Sequence, residues 1–418
     1  MTPETICIVG LGYIGLPTAA VFASRKIRVI GVDVNPAVVE AINQGRIHIV
    51  EPDLDMVVSA AVTHGYLRAT ARPEAAEVFL IAVPTPLTPD HRPDLSHIEA
   101  ASRAIASVLK KGDLVILEST SPVGTTEKMA LLMAEERPDL SFPQTQGETS
   151  DIRVAYCPER VLPGQVLREL VQNDRVVGGL TPRCAAAAAA LYKLFIRGEC
   201  FTTDARTAEM CKLTENSFRD VNIAFANELS LICDKLGINV WELIRLANRH
   251  PRVNILNPGP GVGGHCIAVD PWFIVDAAPE RAKIIAAARA VNDSMPQWVV
   301  ERVLKESHAL VSTSPVHSVA CLGLSFKAKI DDLRESPALH IVERLAHFES
   351  LRLLVAEPYI KGLPRSLDER STVQFVDAED AIRQSEIVLL LSDHDQFRGI
   401  NPSLLSGKIV IDTRGIWR

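Results

Sequence analysis

A loop rich in glycine and proline ends in a cysteine that is a candidate nucleophile. Residues 258–264 consist of four glycines, two prolines and a valine; Cys266 follows, and Asp270 lies four residues beyond it. This composition predicts a loop whose backbone approaches another group closely, and its amides suit an oxyanion or a phosphate. The position of Cys266 favours catalysis over a merely buried thiol. Three other cysteines fall in strand-like runs and are expected to be inert core thiols: Cys7, Cys157 and Cys321.

Polar residues share one face of a predicted helix that precedes this loop. Lys212, Asn216 and Arg219 stand at positions i, i+4 and i+7. On an ordinary helix of a soluble protein such residues form the solvated side. Apolar residues nearby indicate instead that much of the helix is covered, which favours a polar pocket: Cys211, Leu213, Phe218, Val221 and Phe225.

The chain begins with a glycine-rich turn suited to binding phosphate. Gly10, Gly12 and Gly15 follow the strand-like run 6–9 and open a helical pattern. Gly10 allows a tight turn, Gly12 lets backbone amides approach a pyrophosphate, and Gly15 permits close packing of the helix on the strand. The motif predicts a dinucleotide site. The alternatives are a turn that has lost its nucleotide and a flavin site.

A carboxylate at the end of the second predicted strand selects the nucleotide. Asp33 stands where a side chain can accept hydrogen bonds from a ribose diol. Because this charge would repel a 2′-phosphate, NAD is favoured over NADP. The segments 83–86 and 118–126 also end predicted strands, so their hydroxyl groups are expected at the same crevice. Ordinary turn chemistry is the alternative for these hydroxyl groups.

The elements that must position these residues predict an α/β fold. Strand-like runs alternate with helical patterns to about residue 200, helices alone continue to about residue 307, and strands return after a break at 312–315. We therefore predict two Rossmann-like, doubly wound domains with parallel sheets, joined by a helical middle region with a long central helix. The predicted domains are residues 1–202, 203–311 and 312–418. The alanine-rich run 184–195 is predicted to be a helix packed on the first sheet, and 137–151 a surface loop.

The composition excludes several classes of function. The 418 residues carry a formal net charge of −7, so no basic excess is available to neutralise a nucleic acid. The eight cysteines show no C-x-x-C pair and no zinc-like spacing with histidine, so no metal is expected. The apolar runs are shorter than the ~20 residues that cross a bilayer, and the N-terminus does not resemble a signal peptide. We therefore expect a cytoplasmic protein with no membrane partner.

The order of the motifs resembles the UDP-glucose/GDP-mannose dehydrogenase family along nearly the whole chain. The matching segments are residues 10–15, 118–126, 157–160, 209–228, the loop with Cys266 and Asp270, 323–327, 331–337 and 412–415. Within the family, residues 248–256 and 264–273 resemble the branch that acts on UDP-N-acetylhexosamines. UDP-N-acetyl-D-mannosamine is the expected substrate, and UDP-N-acetylglucosamine is the alternative.

The resemblance implies a four-electron oxidation, in which two NAD molecules in succession convert a sugar C6 alcohol to a carboxylate. Cys266 would trap the aldehyde as a thiohemiacetal, and a second hydride transfer would give a thioester that water hydrolyses. Lys212 and Asn216 match positions that stabilise oxyanions. Lys212 is also expected to accept the proton of the alcohol, through a water held with Asp270. Glu159 and Thr120 match positions that orient or activate water.

The resemblance also assigns the binding residues. Those expected to bind NAD are Gly10, Gly12, Tyr13, Ile14, Gly15, Asp33, Thr85, Thr126 and Arg334. Those expected around the sugar nucleotide are Arg160, Val161, Arg219, His250, Arg252, Gly263, Phe326, Lys327 and Arg414. Guanidinium and ammonium groups suit the concentrated charge of a diphosphate. A homodimer formed through the long middle helix is expected, with Arg252 reaching the neighbouring subunit's site.

Other interpretations of these residues remain open. Residues 327–334 would also be compatible with a solvated run of ion pairs, and Glu159 with a pair to Arg160. A nucleotide-sugar binding protein on an inactive scaffold is the rival from a different class, although it would not need Cys266, Lys212 and Asn216 together. A single-step alcohol dehydrogenase or an epimerase would use the dinucleotide turn but would not need a trapping thiol.

Overall fold

The described part of the chain forms two compact units. The computed structural model describes residues 2–162, 164–310 and 315–417. The first unit comprises Met1–Glu215 and Trp272–Ala277, and the second comprises Asn216–Pro271 and Ala278–Arg418. The predicted domain boundary between residues 311 and 312 lies outside the described residues, and the boundary after residue 202 stays a prediction.

A mixed sheet of eight strands forms the centre of the first unit, as far as the chain is described. The strands are β1 Thr5–Val9, β2 Arg28–Val32, β3 Leu67–Thr70, β4 Val78–Ile81, β5 Leu114–Leu117, β6 Arg153–Tyr156, β7 Arg175–Gly179 and β8 Cys200–Asp204. They lie in the order β3-β2-β1-β4-β5-β6-β7-β8. Neighbours are parallel except β6 and β7, where Ala155 lies opposite Gly179 in an antiparallel pair. The predicted parallel sheet therefore contains one antiparallel pair.

Helices pack around this sheet. They are α1 Gly15–Ser24, α2 Pro36–Asn43, α3 Leu54–Thr63, α4 Ser96–Ala106, α5 Thr125–Glu136, α6 Pro143–Gln146, α7 Val166–Gln172, α8 Pro182–Tyr192 and the start of α9 Ala205–Leu236. Side chains of β1 alternate between two cores, because Ile6 and Ile8 pack in one cluster and Cys7 and Val9 in the other. Apolar residues on both faces are what a sheet covered on both sides requires.

The second unit combines long helices with a second sheet. Its helices are the remainder of α9, α10 Val240–Ala247, the start of α11 Asp270–Ala277, α12 Lys283–Ala309, α13 Pro337–Leu345, α14 Arg365–Asp368, α15 Ala378–Arg383 and α16 Asp395–Arg398. Its strands are β9 His317–Leu322, β10 Leu351–Ala356, β11 Val373–Phe375, β12 Ile387–Leu390 and β13 Ile409–Asp412. These strands are parallel and lie in the order β11-β10-β9-β12-β13.

Buried polar contacts join α9 to α12 within the second unit. Arg289 Nη1 donates to Asp220 Oδ1 at 2.7 Å, and both side chains are almost wholly buried. Asn227 Nδ2 donates to Asn292 Oδ1 at 2.8 Å. Because an unpaired buried charge or amide is costly, these contacts fix one register between the two helices.

The predicted fold class is confirmed, including two doubly wound sheets and a long helix between them. The sequence analysis missed the short strands β3, β7, β8 and β11. Their patterns are weak, because β7 ends in two glycines, β8 is largely exposed and β11 has three residues. The predicted surface loop 137–151 contains the helix α6, which begins at Pro143. The alanine-rich helix is confirmed as α8.

Candidate active site

The glycines of the turn between β1 and α1 are needed for different reasons. Gly10 has a φ of +93°, and a Cβ there would lie 2.4 Å from the carbonyl oxygen of Ala82. A Cβ on Gly15 would lie 1.8 Å from the carbonyl oxygen of Gly10, whereas a Cβ on Gly12 would meet nothing within 4 Å. Packing within the protein therefore requires Gly10 and Gly15, and the space beside Gly12 is open to a ligand.

The residues around this turn fit NAD. Among the described residues, no side chain caps the N-terminus of α1, and its first turn has no acidic residue. Its amide groups can therefore face a pyrophosphate beside Tyr13 and Ile14. Asp33 accepts hydrogen bonds from the backbone amides of Leu11 at 3.1 Å and Asn35 at 2.9 Å, and it is only half-buried. These amides orient a carboxylate that still has capacity for the hydroxyl groups of a ribose.

Three predicted threonines follow the carboxyl ends of β4 and β5. The hydroxyl group of Thr85 donates to the carbonyl oxygen of Thr120. The hydroxyl group of Thr126 is wholly buried and donates to Glu209 Oε1 at 2.6 Å. Glu209 also accepts from the backbone amides of Gly124 and Thr126, so it caps α5 from outside that helix. Thr126 thus has a partner inside the protein, and its contact with NAD stays a prediction.

Glu159 lies just after β6 in a buried ion pair. Its Oε2 accepts from Arg175 Nη2 at 2.9 Å, and both side chains are less than a tenth exposed. Its Oε1 accepts from the backbone amide of Arg160 at 2.7 Å. The guanidinium of Arg175 also lies 4.6 Å from the ring centroid of Tyr192. These contacts hold the carboxylate of Glu159 in one orientation.

The alternative ion pair between Glu159 and Arg160 is wrong. The guanidinium of Arg160 instead contacts Glu215, with Nη2 and Oε1 2.7 Å apart. Glu215 lies on α9, so Arg160 is held beside that helix within the first unit, while Val161 packs against the apolar core. Glu159 and Arg160, although adjacent in sequence, therefore form ion pairs with different partners.

A second buried carboxylate lies beside the Glu159–Arg175 pair. Glu118 follows β5 and accepts from the hydroxyl group of Tyr192 at 2.6 Å. Burial raises the pKa of Glu118 to about 7, while the charges of Arg175 and Glu159 act in opposite directions. The first unit therefore contains a buried carboxyl group that changes its protonation near neutral pH.

Asn216 and Asp270 form a buried polar contact in the second unit. Asn216 Nδ2 donates to Asp270 Oδ2 at 2.5 Å, and the two residues are 7% and 3% exposed. Asp270 begins α11, and its backbone amide donates to the carbonyl oxygen of Cys266 at 2.9 Å. The structure thus brings the predicted residues Asn216, Asp270 and Cys266 together. Lys212 lies one turn before Asn216 on α9, is half-buried and belongs to the first unit.

The loop that ends in Cys266 packs closely on its own unit. A Cβ on Gly263 would lie 2.5 Å from the carbonyl oxygen of Glu335, and a Cβ on Gly264, whose φ is +83°, would lie 2.9 Å from the ring of Phe326. The backbone amide of Gly259 donates to Asn227 Oδ1 at 2.9 Å. The predicted close approach of backbone is confirmed, and the group approached is the protein itself.

Exposure separates Cys266 from the core thiols. Of the eight cysteines, all within the described residues, only Cys266 is exposed, so the alternative of a buried thiol is wrong. Cys7, Cys157 and Cys321 are wholly buried, and burial raises the pKa of each to about 12. These three groups stay protonated and unreactive at neutral pH, as expected.

The basic residues assigned to the substrate lie mostly on exposed segments of the second unit. Exposed members are Arg219, His250, Arg252 and Lys327. Arg414 is half-buried, and its Nε donates to the carbonyl oxygen of Leu391 at 2.9 Å. Arg334 pairs with Asp332 at 2.6 Å, so the alternative of an ion pair is realised there. Contact of Arg334 with NAD stays a prediction.

Two apolar residues of α9 are not covered as expected. Phe218 and Phe225 are 69% and 54% exposed in the single chain. The buried positions of this helix include Leu213, Asp220 and Asn227 instead. The expectation that much of this helix is covered is therefore wrong at the two phenylalanines.

Several residues of the site were missed by sequence reasoning. Arg175, Tyr192 and Glu209 contact predicted residues. Arg175 and Tyr192 stand in none of the motifs, and Glu209 opens the matching segment 209–228 but was given no role. Arg175 is a charged residue at the start of the apolar strand β7, and this position was the only indication of its role in the sequence. No three His, Cys, Asp or Glu residues in the described ranges are arranged to hold a metal ion. None of the helices that the structure describes has the length and apolar character to span a membrane.

Comparison with known proteins agrees with the predicted family. The chain belongs to the UDP-glucose/GDP-mannose dehydrogenase family, whose NAD binding, central and UDP binding domains match residues 4–196, 206–294 and 320–418. It is 65% identical to the NDP-N-acetyl-D-galactosaminuronic acid dehydrogenase of Ralstonia nicotianae, over 99% of this chain and 96% of that one. It is 62% identical to the UDP-N-acetyl-D-mannosamine dehydrogenase of Yersinia pestis, over 100% of both chains. The solved structure of a UDP-D-ManNAc dehydrogenase from Pyrococcus horikoshii matches with a TM-score of 0.88 and 39% identity, over 99% of this chain and 96% of that one.

These matches confirm the predicted family and cofactor. The protein is an NAD-dependent UDP-sugar dehydrogenase. The matched NAD binding domain contains the Gly10–Gly15 turn and Asp33, and the matched UDP binding domain contains the second sheet from the middle of β9 onward. The outcome agrees with the reasoning from Asp33, which favoured NAD on electrostatic grounds.

Proposed function

We propose that this enzyme oxidises the C6 alcohol of UDP-N-acetyl-D-mannosamine to UDP-N-acetyl-D-mannosaminuronate. Identity of 62% to the Yersinia pestis UDP-N-acetyl-D-mannosamine dehydrogenase supports the substrate. The observation that carries the chemistry is the exposed Cys266 at the end of the glycine-rich loop. One alcohol, one water and two NAD give one carboxylate, two NADH and three protons. Bound NAD supplies the hydride acceptor for both oxidations.

Cys266 keeps the aldehyde on the protein between the two oxidations. Its thiolate adds to the C6 carbonyl carbon to give a thiohemiacetal, whose C6–H leaves as hydride to give a thioester. Water then attacks the thioester carbon, and the C–S bond breaks to release the carboxylate and the thiol. Asn216 Nδ2 uses one hydrogen for Asp270, and its second hydrogen can stabilise the oxyanion.

Residues of the first unit are assigned to proton transfer. Lys212 accepts the proton of the alcohol. Glu159, oriented by Arg175, positions the water that hydrolyses the thioester, and Thr120 assists it. The groups assigned to the sugar nucleotide are Arg160, Val161, Arg219, His250, Arg252, Gly263, Phe326, Lys327 and Arg414.

A second candidate substrate belongs to the N-acetyl-D-galactosamine series. The observation that favours it is the 65% identity to the Ralstonia nicotianae NDP-N-acetyl-D-galactosaminuronic acid dehydrogenase. The chemistry at C6 would be unchanged, because the substrates differ in ring configuration and not at the reacting carbon.

The yield of NADH per sugar nucleotide consumed tests both parts of the proposal. Reactions run to completion with the manno, gluco and galacto UDP-N-acetylhexosamines, without epimerase, should give two NADH with the manno substrate. Two NADH from another isomer alone would keep the mechanism and change the substrate. One NADH from every substrate would contradict trapping by Cys266, and none would favour a binding protein.

Substitution of the cysteine tests its role directly. Cys266→Ser should abolish uronate formation while NAD binding stays unchanged. Cys200→Ser, at a half-buried cysteine on β8, is the matched control and should retain the full yield. Uronate production by Cys266→Ser at the wild-type rate would remove Cys266 as the nucleophile.

We also propose a cytoplasmic homodimer, with α9 in the interface. Phe218, Phe225 and Ile232 recur every seven residues and, with Leu236, are 69%, 54%, 45% and 63% exposed. A row of apolar side chains on one helix face fits a second copy of the same helix. Sedimentation should show a dimer for the wild type and a monomer for Phe225→Glu. A wild-type monomer at micromolar concentration would contradict the dimer.

A further inference from the structure

A buried polar cluster beneath residues 323–329 takes no part in the steps above. Glu357 directly follows β10, and His394 lies between β12 and α16. Both side chains are wholly inaccessible, and His394 Nε2 lies 3.1 Å from Glu357 Oε2. The same nitrogen lies 3.2 Å from the hydroxyl oxygen of Ser325. Burying ionisable groups is costly, so we expect this buried Glu357–His394 pair to have a structural or functional role.

The cluster holds the backbone of the turn that follows β9. Glu357 Oε2 accepts from the amides of Leu324 at 2.8 Å and Ser325 at 3.1 Å. At the other end of the segment, the amide of Lys329 donates to His394 Nδ1 at 3.1 Å. Glu357 and His394 therefore fix both ends of the stretch from Leu324 to Lys329, which includes Phe326 and Lys327.

The contacts also define the tautomer of His394. A ring nitrogen that accepts from an amide carries no proton, so Nδ1 is bare and the proton is on Nε2. Nε2–H then points to Glu357 and Ser325. Lys329 has a φ of +66°, which a residue other than glycine adopts only where its surroundings hold it.

We propose that Glu357 and His394 are positioning residues for the UDP-sugar. They act through Phe326 and Lys327, so the inference rests on the substrate contacts proposed above. The ring of Phe326 also packs on Gly264, two residues before Cys266. Loss of either buried group lets residues 324–329 relax, which misplaces the side chains that meet the sugar nucleotide and leaves the NAD turn intact.

The test compares His394→Gln and Glu357→Gln with the wild-type enzyme. We expect the KM for the UDP-sugar and the Kd of UDP to rise about tenfold or more, because hydrogen bonds to a charged buried group are lost. The kcat should change much less, and the Kd of NAD should not change. The control His347→Gln replaces an exposed histidine of the same unit and should match the wild type in every constant.

The outcomes separate this inference from the proposed substrate. A folded variant with unchanged UDP affinity, or with a loss confined to kcat, overturns the positioning role. UDP titration needs no turnover, so a tenfold weaker UDP complex supports the inference even where UDP-N-acetyl-D-mannosamine is not oxidised. If the variants do not fold, the ¹⁵N shifts of His394 in the wild type decide: a proton on Nδ1 overturns the arrangement, and a bare Nδ1 supports it.

Discussion

The two sheets repeat one arrangement and use it differently. Five strands of the first sheet, in the order β3-β2-β1-β4-β5, correspond one by one to the strands of the second sheet, in the order β11-β10-β9-β12-β13. Gly10 and Gly323 each follow the first strand, with φ of +93° and +98°. Asp33 and Glu357 each follow the second strand. Each carboxylate accepts from the amide after its glycine and from the amide two residues beyond itself.

The difference lies in what covers the carboxylate. Asp33 is half-buried and keeps capacity for a ribose, whereas Glu357 is wholly buried against His394. The segment after β12 supplies His394, while the segment after β4 begins with Ala82 and Val83. The carboxylate that follows the second strand of a doubly wound sheet can therefore bind a ligand, as Asp33 is expected to, or hold the glycine turn of its own sheet, as Glu357 does. Which of the two it does depends on the segment that follows the neighbouring strand, β4 or β12.

The largest expected effects concern Gly10 and Gly323, the glycines that follow the first strand of each sheet. They test whether the backbone conformation at these positions requires glycine. Gly10→Ala and Gly323→Ala should each lower the free energy of unfolding by roughly 3–6 kcal/mol, because both combine a positive φ with a close contact. A Cβ would lie 2.4 Å from Ala82 O in one case and 2.5 Å from Ser392 Cβ in the other. Gly12→Ala, which meets no protein atom within 4 Å, should fold normally and bind NAD more weakly. Urea denaturation and NAD titration measure the two effects, and a Gly10→Ala protein as stable as the wild type would refute the backbone requirement.

The next effect concerns the buried ion pair of the first sheet. Arg175→Met leaves Glu159 buried without its partner, and we expect a loss of about 3–5 kcal/mol of unfolding free energy. The matched control is Arg206→Met, which breaks the largely exposed pair with Glu127 and should cost no more than about 1 kcal/mol. Equal stability losses in the two variants, measured by urea denaturation, would show that burial does not set the cost.

A pH series contrasts the buried carboxyl groups of the two sheets. The pKa of Glu118 is raised to about 7 from 4.5 by burial, so between these values the native state binds a proton that the unfolded state lacks. Stability from this group therefore falls as the pH rises through that window. The free energy of unfolding of Glu118→Gln should exceed that of the wild type by on the order of 3 kcal/mol at pH 8 and should equal it at pH 4. For Glu357, burial raises the pKa, but hydrogen bonds from His394 and backbone amides lower it overall, so its stabilisation is lost as the pH falls. An equal difference between Glu118→Gln and wild type at both pH values would contradict this account.

The smallest effect separates the two carboxylates by ligand. Asp33→Asn should raise the KM for NAD by about tenfold, because a hydrogen bond to a charged acceptor is weakened, and should improve the use of NADP relative to NAD. Glu357→Gln should leave the KM for NAD unchanged. Steady-state kinetics with each cofactor checks both, and an NAD effect of similar size in the two variants would remove the distinction between the sheets.

Local patterns made the cofactor side predictable. The Gly10–Gly15 turn and Asp33 lie in one strand–turn–helix–strand unit, so spacing alone indicates their geometry. The partners of Glu159 and Glu357 were not predictable, because Arg175 and His394 lie 16 and 37 residues from them and follow no motif. Phe218 shows the converse, since helical spacing placed it on a face but did not indicate that the face is exposed.

Asn227 links the loop that ends in Cys266 to both long helices, α9 and α12. Its amide group donates to Asn292 on α12 and accepts from Gly259 in the loop. A slip of α12 along α9 by one helical turn, about 5.4 Å, would separate Asn292 Oδ1 from Asn227 Nδ2, and the side-chain amide that accepts from Gly259 would lose the partner that orients it. The register between the two helices therefore sets the orientation of the Asn227 side chain, and through it the position of Gly259 in the loop that carries the nucleophile.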